Sequence, residues 1–232
     1  MMPDPVEKIV RAVLYEGSML YPYRRSALKN RHRWNFGVLF PPNCDLTVSG
    51  AESSRMQSEC LLAENSHAAI SVCVRFLHLF SASAGEIGQA PDERQVKVPE
   101  IRLSELSTKP LTVPFKFEPN PVSAEKTKLF LAGGQQKTVQ GAVELRARPI
   151  DQRVFKLAVR VQNLTPFDAA PTERDLALMS SLVSTHVIVR STGGTFFSLM
   201  DPPEKYRDAA EGWPPNSDGA PRGIYWDDCA RQ

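Results

Sequence analysis

The sequence predicts a mainly β (α+β) fold: antiparallel, sandwich-like β sheets with one or two short helices and an irregular C-terminal tail. Three observations lead there. Period-2 apolar alternation recurs along the chain, most clearly over His67–Phe80. Clusters of Pro, Gly, Asp and Asn punctuate those runs as turns. Repeating strand–helix–strand units are absent, which argues against a doubly wound nucleotide-binding sheet. About nine strands result, a count that favours a sandwich or a pair of packed sheets.

Residues 6–15 alternate weakly, and the Glu16-Gly17 that follows favours a strand entering a turn over a short helix. Pro22 discourages helix at Tyr21, and Ser26 is a candidate N-cap for one or two helical turns up to Arg33. Trp34–Phe40 reads as a strand stopped by Pro41-Pro42, and 43–54 as an exposed loop. Arg55–Glu64 is the next strand. In His67–Phe80 the residues Val72, Val74, Phe76, His78 and Phe80 share one face, with Cys73, Arg75, Leu77 and Leu79 on the other. Both faces are largely apolar, so this strand belongs near the middle of a sheet.

Ser81–Gln95 is a long loop or a boundary. Val96–Leu106 and Leu111–Phe117 follow as strands, pushed to sheet edges by Pro99, Pro110 and Pro114. Beyond Pro119-Asn120-Pro121 a flexible connection carries Gly133-Gly134. Val139–Arg148 and Val154–Gln162 form a hairpin, the second with Phe155, Leu157, Val159 and Val161 on its buried face. Thr172 with Asp175 resembles a capping box for a helix running to Leu182. Thr185–Arg190 and Thr195–Met200 flank Gly193-Gly194 as a second hairpin. Glu204–Glu211 has helical character. The domain expectation is one β-rich domain over 1–203, with 81–95 as a place for subdivision, then a short helix and irregular tail over 204–232.

Against 28 Lys and Arg stand 26 Asp and Glu, a formal net charge of +2. The whole chain is therefore no polyanion binder, and electrostatic arguments rest on local clusters. The densest cluster lies between Tyr15 and Gly37, where Glu16 is the only carboxylate. Tyr21, Tyr23 and Trp34 offer apolar area there, while Arg24, Arg25, Lys29, Arg31 and Arg33 select an acidic patch, as in a protein-partner surface. The bland alternative is a surface loop whose cations pair locally and whose rings fill the core. A single-stranded nucleic-acid groove uses the same ingredients, but the near-neutral total argues against it.

Cys44, Cys60, Cys73 and Cys229 show no CxxC spacing. Cys60, His67, Cys73 and His78 are the metal-ligand candidates, although Cys73 and His78 fall on opposite faces of a strand and no third ligand converges on them. No cofactor is expected. Ser180, Ser181, Ser184 and His186 invite a hydrolase reading, yet no GxSxG elbow accompanies them. They suit the end of a helix and the start of a strand. Gly193-Gly194 lacks the following Lys-Ser/Thr of a phosphate loop. The N-terminal MMPDPVEKIV lacks the basic start and apolar core of a signal peptide, so a cytoplasmic location is expected and Asn163-Leu164-Thr165 is a chance glycosylation match. No run approaches the ~18 apolar residues needed to span a bilayer.

LYEGSMLYPYRRSALKNRHRWNFGVLFP at 14–41, MQSECL at 56–61 and SSLVSTHVIVRSTGGTFFSLMDPP at 180–203 resemble an uncharacterised bacterial family encoded beside uptake [NiFe]-hydrogenase genes. The resemblance covers about a quarter of the chain, in the expected order. It implies a non-enzymatic accessory or assembly role, with a hydrogenase subunit or maturation factor as partner. A metal-handling or redox maturation factor using the Cys and His residues is the alternative, with nucleic-acid binding third. The family pattern continues past its Asp-Pro-Pro element into a region with acidic motifs. Here GWPPNSDGAPRGIYWDDCARQ follows instead, which puts any role of that acidic region in doubt and suggests a truncated or frame-shifted end.

Overall fold

The computed structural model describes residues 5–16, 34, 37–81, 91–120, 135–168, 173–198 and 202–211. Six strands form its sheet: β1 (Arg55–His78), β2 (Asp92–Arg102), β3 (Leu111–Phe117), β4 (Val139–Asp151), β5 (Val154–Asn163) and β6 (Val183–Phe196). Helices α1 (Pro5–Glu16), α2 (Asp45–Val48), α3 (Leu103–Thr108), α4 (Arg174–Leu178) and α5 (Arg207–Glu211) are short, and a 3-10 turn at Glu204–Tyr206 leads into α5. The mainly β expectation holds, and every strand pair is antiparallel.

β1 organises the sheet. The two expected strands, Arg55–Glu64 and His67–Phe80, are one strand of 24 residues. No Gly or Pro interrupts the stretch, and its apolar period continues across the join through Cys60, Leu62, Ala68, Ile70, Val72, Val74 and Phe76, all in one core cluster. Leu62 lies between Phe155 of β5 and Phe196 of β6, whereas Val72 lies between Val98 of β2 and Val189 of β6. β6 thus follows one edge of β1 from Leu62 to Leu77. The other edge is shared, β5 taking the N-terminal half and β2 the C-terminal half. β1 belongs in this way to two layers, β6–β1–β2 and β1–β5–β4–β3.

The layers face each other across the main core. Phe76 of β1 meets Phe115 and Phe117 of β3 with ring centroids 5.9 and 5.6 Å apart, although three ladders separate those strands within the sheet. Side chains nearly close the remaining gap between β2 and β3. Arg94 of β2 lies 5.2 Å from the Phe117 ring centroid and donates to the Glu118 carbonyl at 2.9 Å and to Asn120 Oδ1 at 2.7 Å. Burial of aliphatic and aromatic area of this kind stabilises by about 25 cal/mol per Å². β2 and β3 are edge strands, as Pro99 and Pro114 require.

A second cluster covers the back of β1, joining Leu14, Trp34, Val38, Phe40, Cys44, Leu77, Leu79, Phe167, Ala177, Leu178, Met179 and Val183. It explains the first correction, that residues 6–15 are helical and not a strand. Val10 and Leu14, one turn apart, are 6% and 0% exposed and present one apolar side to the sheet. Pro5 and Glu7 suit the first turn, where the missing N–H costs nothing and negative charge meets the helix dipole. Polar contacts fix the helix as well. Arg75 forks onto Glu7 at 2.6 and 2.8 Å, and Tyr15 donates to Glu93 at 2.8 Å, which together with burial pushes the Tyr15 hydroxyl up to about 12.

Gly193-Gly194 makes no hairpin; β6 runs through it. β1 carries extra residues between Glu64 and Ala69, opposite the Gly194–Thr192 part of β6. A Cβ on Gly194 would stand 2.6 Å from Ser191 Oγ and 3.1 Å from the Ala63 carbonyl. Gly193 takes φ 73°. The glycines let β6 pass a bulge and continue.

Four smaller corrections have local causes. β2 begins at Asp92 and gives way at Leu103 to α3, which buries Leu103 and Leu106. α4 spans Arg174–Leu178 with Glu173 at its N-cap and no side-chain cap bond; Thr172 lies outside the described residues. Among its described residues the expected strand Trp34–Phe40 shows a single bridge, between Leu39 and Leu182, because Trp34 (φ 65°) and Gly37 (φ 58°) leave the extended region. The expected exposed loop 43–54 contains α2 and the buried Cys44.

Candidate functional site

Of the partner-binding residues expected from the sequence, Tyr21, Tyr23, Arg24, Arg25, Lys29, Arg31 and Arg33 lie outside the described residues. Trp34 is described, and it corrects the surface-anchor expectation. It is 2% exposed, a member of the second cluster, and its Nε1 is buried without a hydrogen-bond partner among the described residues. For Trp34 the bland reading, a ring that fills the core, prevails. The Trp34 carbonyl accepts from Arg174 Nη2 at 3.2 Å, and the same guanidinium lies 5.4 Å from the Phe40 ring centroid and 3.6 Å from Glu52.

Near Trp34 two of the three resembling segments, 14–41 and 180–203, meet. Leu39 and Leu182 exchange backbone hydrogen bonds at 2.9 and 3.0 Å, and Thr185 N donates to the Gly37 carbonyl at 2.7 Å. A Cβ on Gly37 would come within 2.9 Å of the Thr185 carbonyl, so this approach requires glycine. Asn163, 1% exposed, ties the junction by donating from Nδ2 to the carbonyls of Leu39 at 2.8 Å and Ser180 at 2.9 Å. That interior role explains why its Asn-Leu-Thr match is structural. Phe197 N donates to the Leu61 carbonyl at 3.0 Å at the far end of β6, so 56–61 and 180–203 touch there and not at the Leu39–Leu182 junction.

Among the described residues the cysteines and histidines do not converge. Cys60 is buried in the main core, and Cys73 is half-buried on the opposite face of β1. His67 belongs to β1 by its backbone, and its side chain is outside the described set. Seven residues of β1 separate it from Cys60, at most about 23 Å at ~3.3 Å per residue. His78 is fully buried between two structural partners: Arg94 Nε donates to its Nδ1 at 3.3 Å, and its Nε2 lies 2.6 Å from the Lys137 carbonyl. That pairing selects the neutral tautomer with hydrogen on Nε2. Among the described residues no three metal-ligating side chains gather.

The Ser/His cluster is likewise structural. Ser181 Oγ donates to the Ala177 carbonyl at 2.7 Å, closing α4, and Thr185 Oγ1 donates to the Leu182 carbonyl at 3.0 Å. His186 Nδ1 is 3.0 Å from the Ser184 carbonyl, so its hydrogen sits there and Nε2 points away, buried and unpartnered among the described residues. Burial holds its pKa below the usual 6.5, and the Arg75 charge adds to the shift.

Sequence reasoning missed a groove of about 360 Å³ on the outer face of the β1–β5–β4 layer. Register builds it. Ala158 sits between Glu59 of β1 and Arg146 of β4, Arg160 between Gln57 and Glu144, and Lys156 between Leu61 and Arg148. The short Ala158 side chain makes the floor, the long side chains make walls, and Leu106 and Pro110 close one side. The carboxylates are already engaged: Glu59 by Lys156 at 2.8 Å and by Gln57 Nε2 at 2.8 Å, Glu144 by Arg146 at 2.5 Å and Arg160 at 3.8 Å. Arg148 is exposed and has no ion-pair partner among the described residues.

Comparison with family models, with curated proteins and with solved structures finds no match for this chain. Among the described residues no helix is long and apolar enough to cross a membrane.

Proposed function

We propose that this chain is a non-enzymatic accessory protein that holds a basic-aromatic segment toward a protein partner. The resemblance of 14–41, 56–61 and 180–203 makes an uptake [NiFe]-hydrogenase subunit or maturation factor the partner to test, in the cytoplasm. What supports the reading is the position of the residues that flank the segment. Leu14 and Trp34 lie in one buried cluster, and 37–40 pairs with 182–185, so the first and last resembling stretches share a structural junction. Such a junction fixes the described residues on either side of the basic-aromatic segment, and anchored ends lower the ordering cost of binding through it. With Trp34 in the interior, the apolar anchors of the surface are Tyr21 and Tyr23, and Arg24, Arg25, Lys29, Arg31 and Arg33 supply the charge.

Affinity capture of the tagged protein from hydrogenase-producing cells tests this reading. A hydrogenase subunit or maturation factor recovered with the native chain, and lost with Arg24→Ala/Arg25→Ala, supports it. Equal recovery with both chains refutes it.

A further inference from the structure

We propose that the groove over Ala158, built entirely from residues 57–160, binds an extended acidic peptide segment of a protein partner. Charge complementarity is the first argument. Four cationic side chains, Arg146, Arg148, Lys156 and Arg160, line the groove against two carboxylates, Glu59 and Glu144. Those carboxylates are consumed by their neighbours, whereas Arg148 has no ion-pair partner among the described residues and the Arg146 side chain is 64% exposed.

The second argument comes from register. Arg148 stands directly opposite Lys156 across the β4–β5 ladder, with Arg146 two residues along on the same face. Like charges directly opposite on one face of an antiparallel pair are destabilising. Lys156 has Glu59 beside it, but nothing described here neutralises Arg148. A carboxylate entering at this edge relieves the repulsion and gains a fork-shaped donor.

Shape selects the form of the ligand. The groove is shallow and open, its floor is one alanine, and the exposed Pro110 provides apolar contact at its side. An extended strand-like segment with acidic side chains every second residue matches the spacing of Arg146, Arg148 and Arg160, because strand neighbours two apart share a face. Nucleic acid is the less suitable polyanion here, since Glu59 and Glu144 stand among the cations and no aromatic ring lines the groove for base stacking.

Fluorescence anisotropy with the full chain and a labelled ten-residue Glu-Gly repeat peptide tests the assignment. Native protein binds at low salt, the affinity falls as salt rises, and Arg146→Glu/Arg148→Glu weakens binding by about tenfold or more. Arg148→Gln alone, at an exposed and unpaired position, weakens it by about threefold and serves where the double reversal disturbs folding. Arg24→Ala/Arg25→Ala leaves the peptide affinity unchanged, which separates this site from the proposed partner segment. The assignment is overturned by failure of the peptide to bind native protein at low salt, or by equal binding to native and reversed chains. Tighter binding of a labelled oligonucleotide of equal charge at the same arginines overturns it as well.

Discussion

Glu7 of α1 accepts two hydrogen bonds from the Arg75 guanidinium of β1, at 2.6 and 2.8 Å. This fork joins the first helix to the back of the organising strand, beside His186 and the second cluster. It is a charge-assisted bidentate pair, but Glu7 is 36% exposed, so solvent screening reduces its worth. Glu7→Gln is expected to lower stability by about 1 kcal/mol or less, read as a shift of the urea midpoint. The pH dependence has a defined sign. The Arg75 hydrogen bonds hold the Glu7 pKa below its ordinary 4.5, so the contribution is complete above that value and lost as pH falls through the folded value. The native chain and the variant therefore converge in stability below pH 4.5.

His186 predicts a second, separate acid effect. Burial holds its pKa below 6.5, so the unfolded chain takes up a proton before the folded one does. Stability therefore declines as pH falls below 6.5, and the decline levels off beneath the folded value. His186→Gln removes that titration. Urea midpoints measured between pH 7 and 5 should fall less steeply for the variant; parallel profiles would show that His186 titrates alike in both states.

Trp34 tests the junction itself. Its ring is interior, so Trp34→Ala is expected to cost about 3–5 kcal/mol, visible as a large drop in thermal midpoint. Trp34→Phe keeps most of the apolar area and removes a buried N–H without a described partner, so its cost should be much smaller. Equal losses in the two variants would place the role of Trp34 in its nitrogen, contrary to the packing seen.

Much of the fold was legible wherever side-chain period and turn chemistry agreed. β3 matches its expected bounds, and Phe155, Leu157, Val159 and Val161 of β5 all enter the main core, as their alternation requires. Errors arose where a local signal was answered by a distant partner. Gly193-Gly194 reads as a turn in isolation, yet the bulge in β1 makes use of its lack of side chains. Residues 6–15 look weakly alternating until burial shows Val10 and Leu14, one helical turn apart, both interior, with Leu14 in the second cluster. The candidate site was less legible. Tyr21 through Arg33 stand out by composition, whereas the groove over Ala158 depends on a register that places residues 57–61, 144–148 and 156–160 side by side. No single window of sequence carries that pattern.

The central claim is that the cations between Arg24 and Arg33 select a hydrogenase-related protein partner. The most direct measurement is quantitative capture from hydrogenase-producing cells, comparing the native chain with Arg24→Ala/Arg25→Ala/Arg31→Ala/Arg33→Ala. Matched urea midpoints first establish that both chains fold alike. The account predicts that the native chain retains a hydrogenase subunit or maturation factor and that the variant loses it. Undiminished recovery by the variant, or no such protein with either chain, would contradict it.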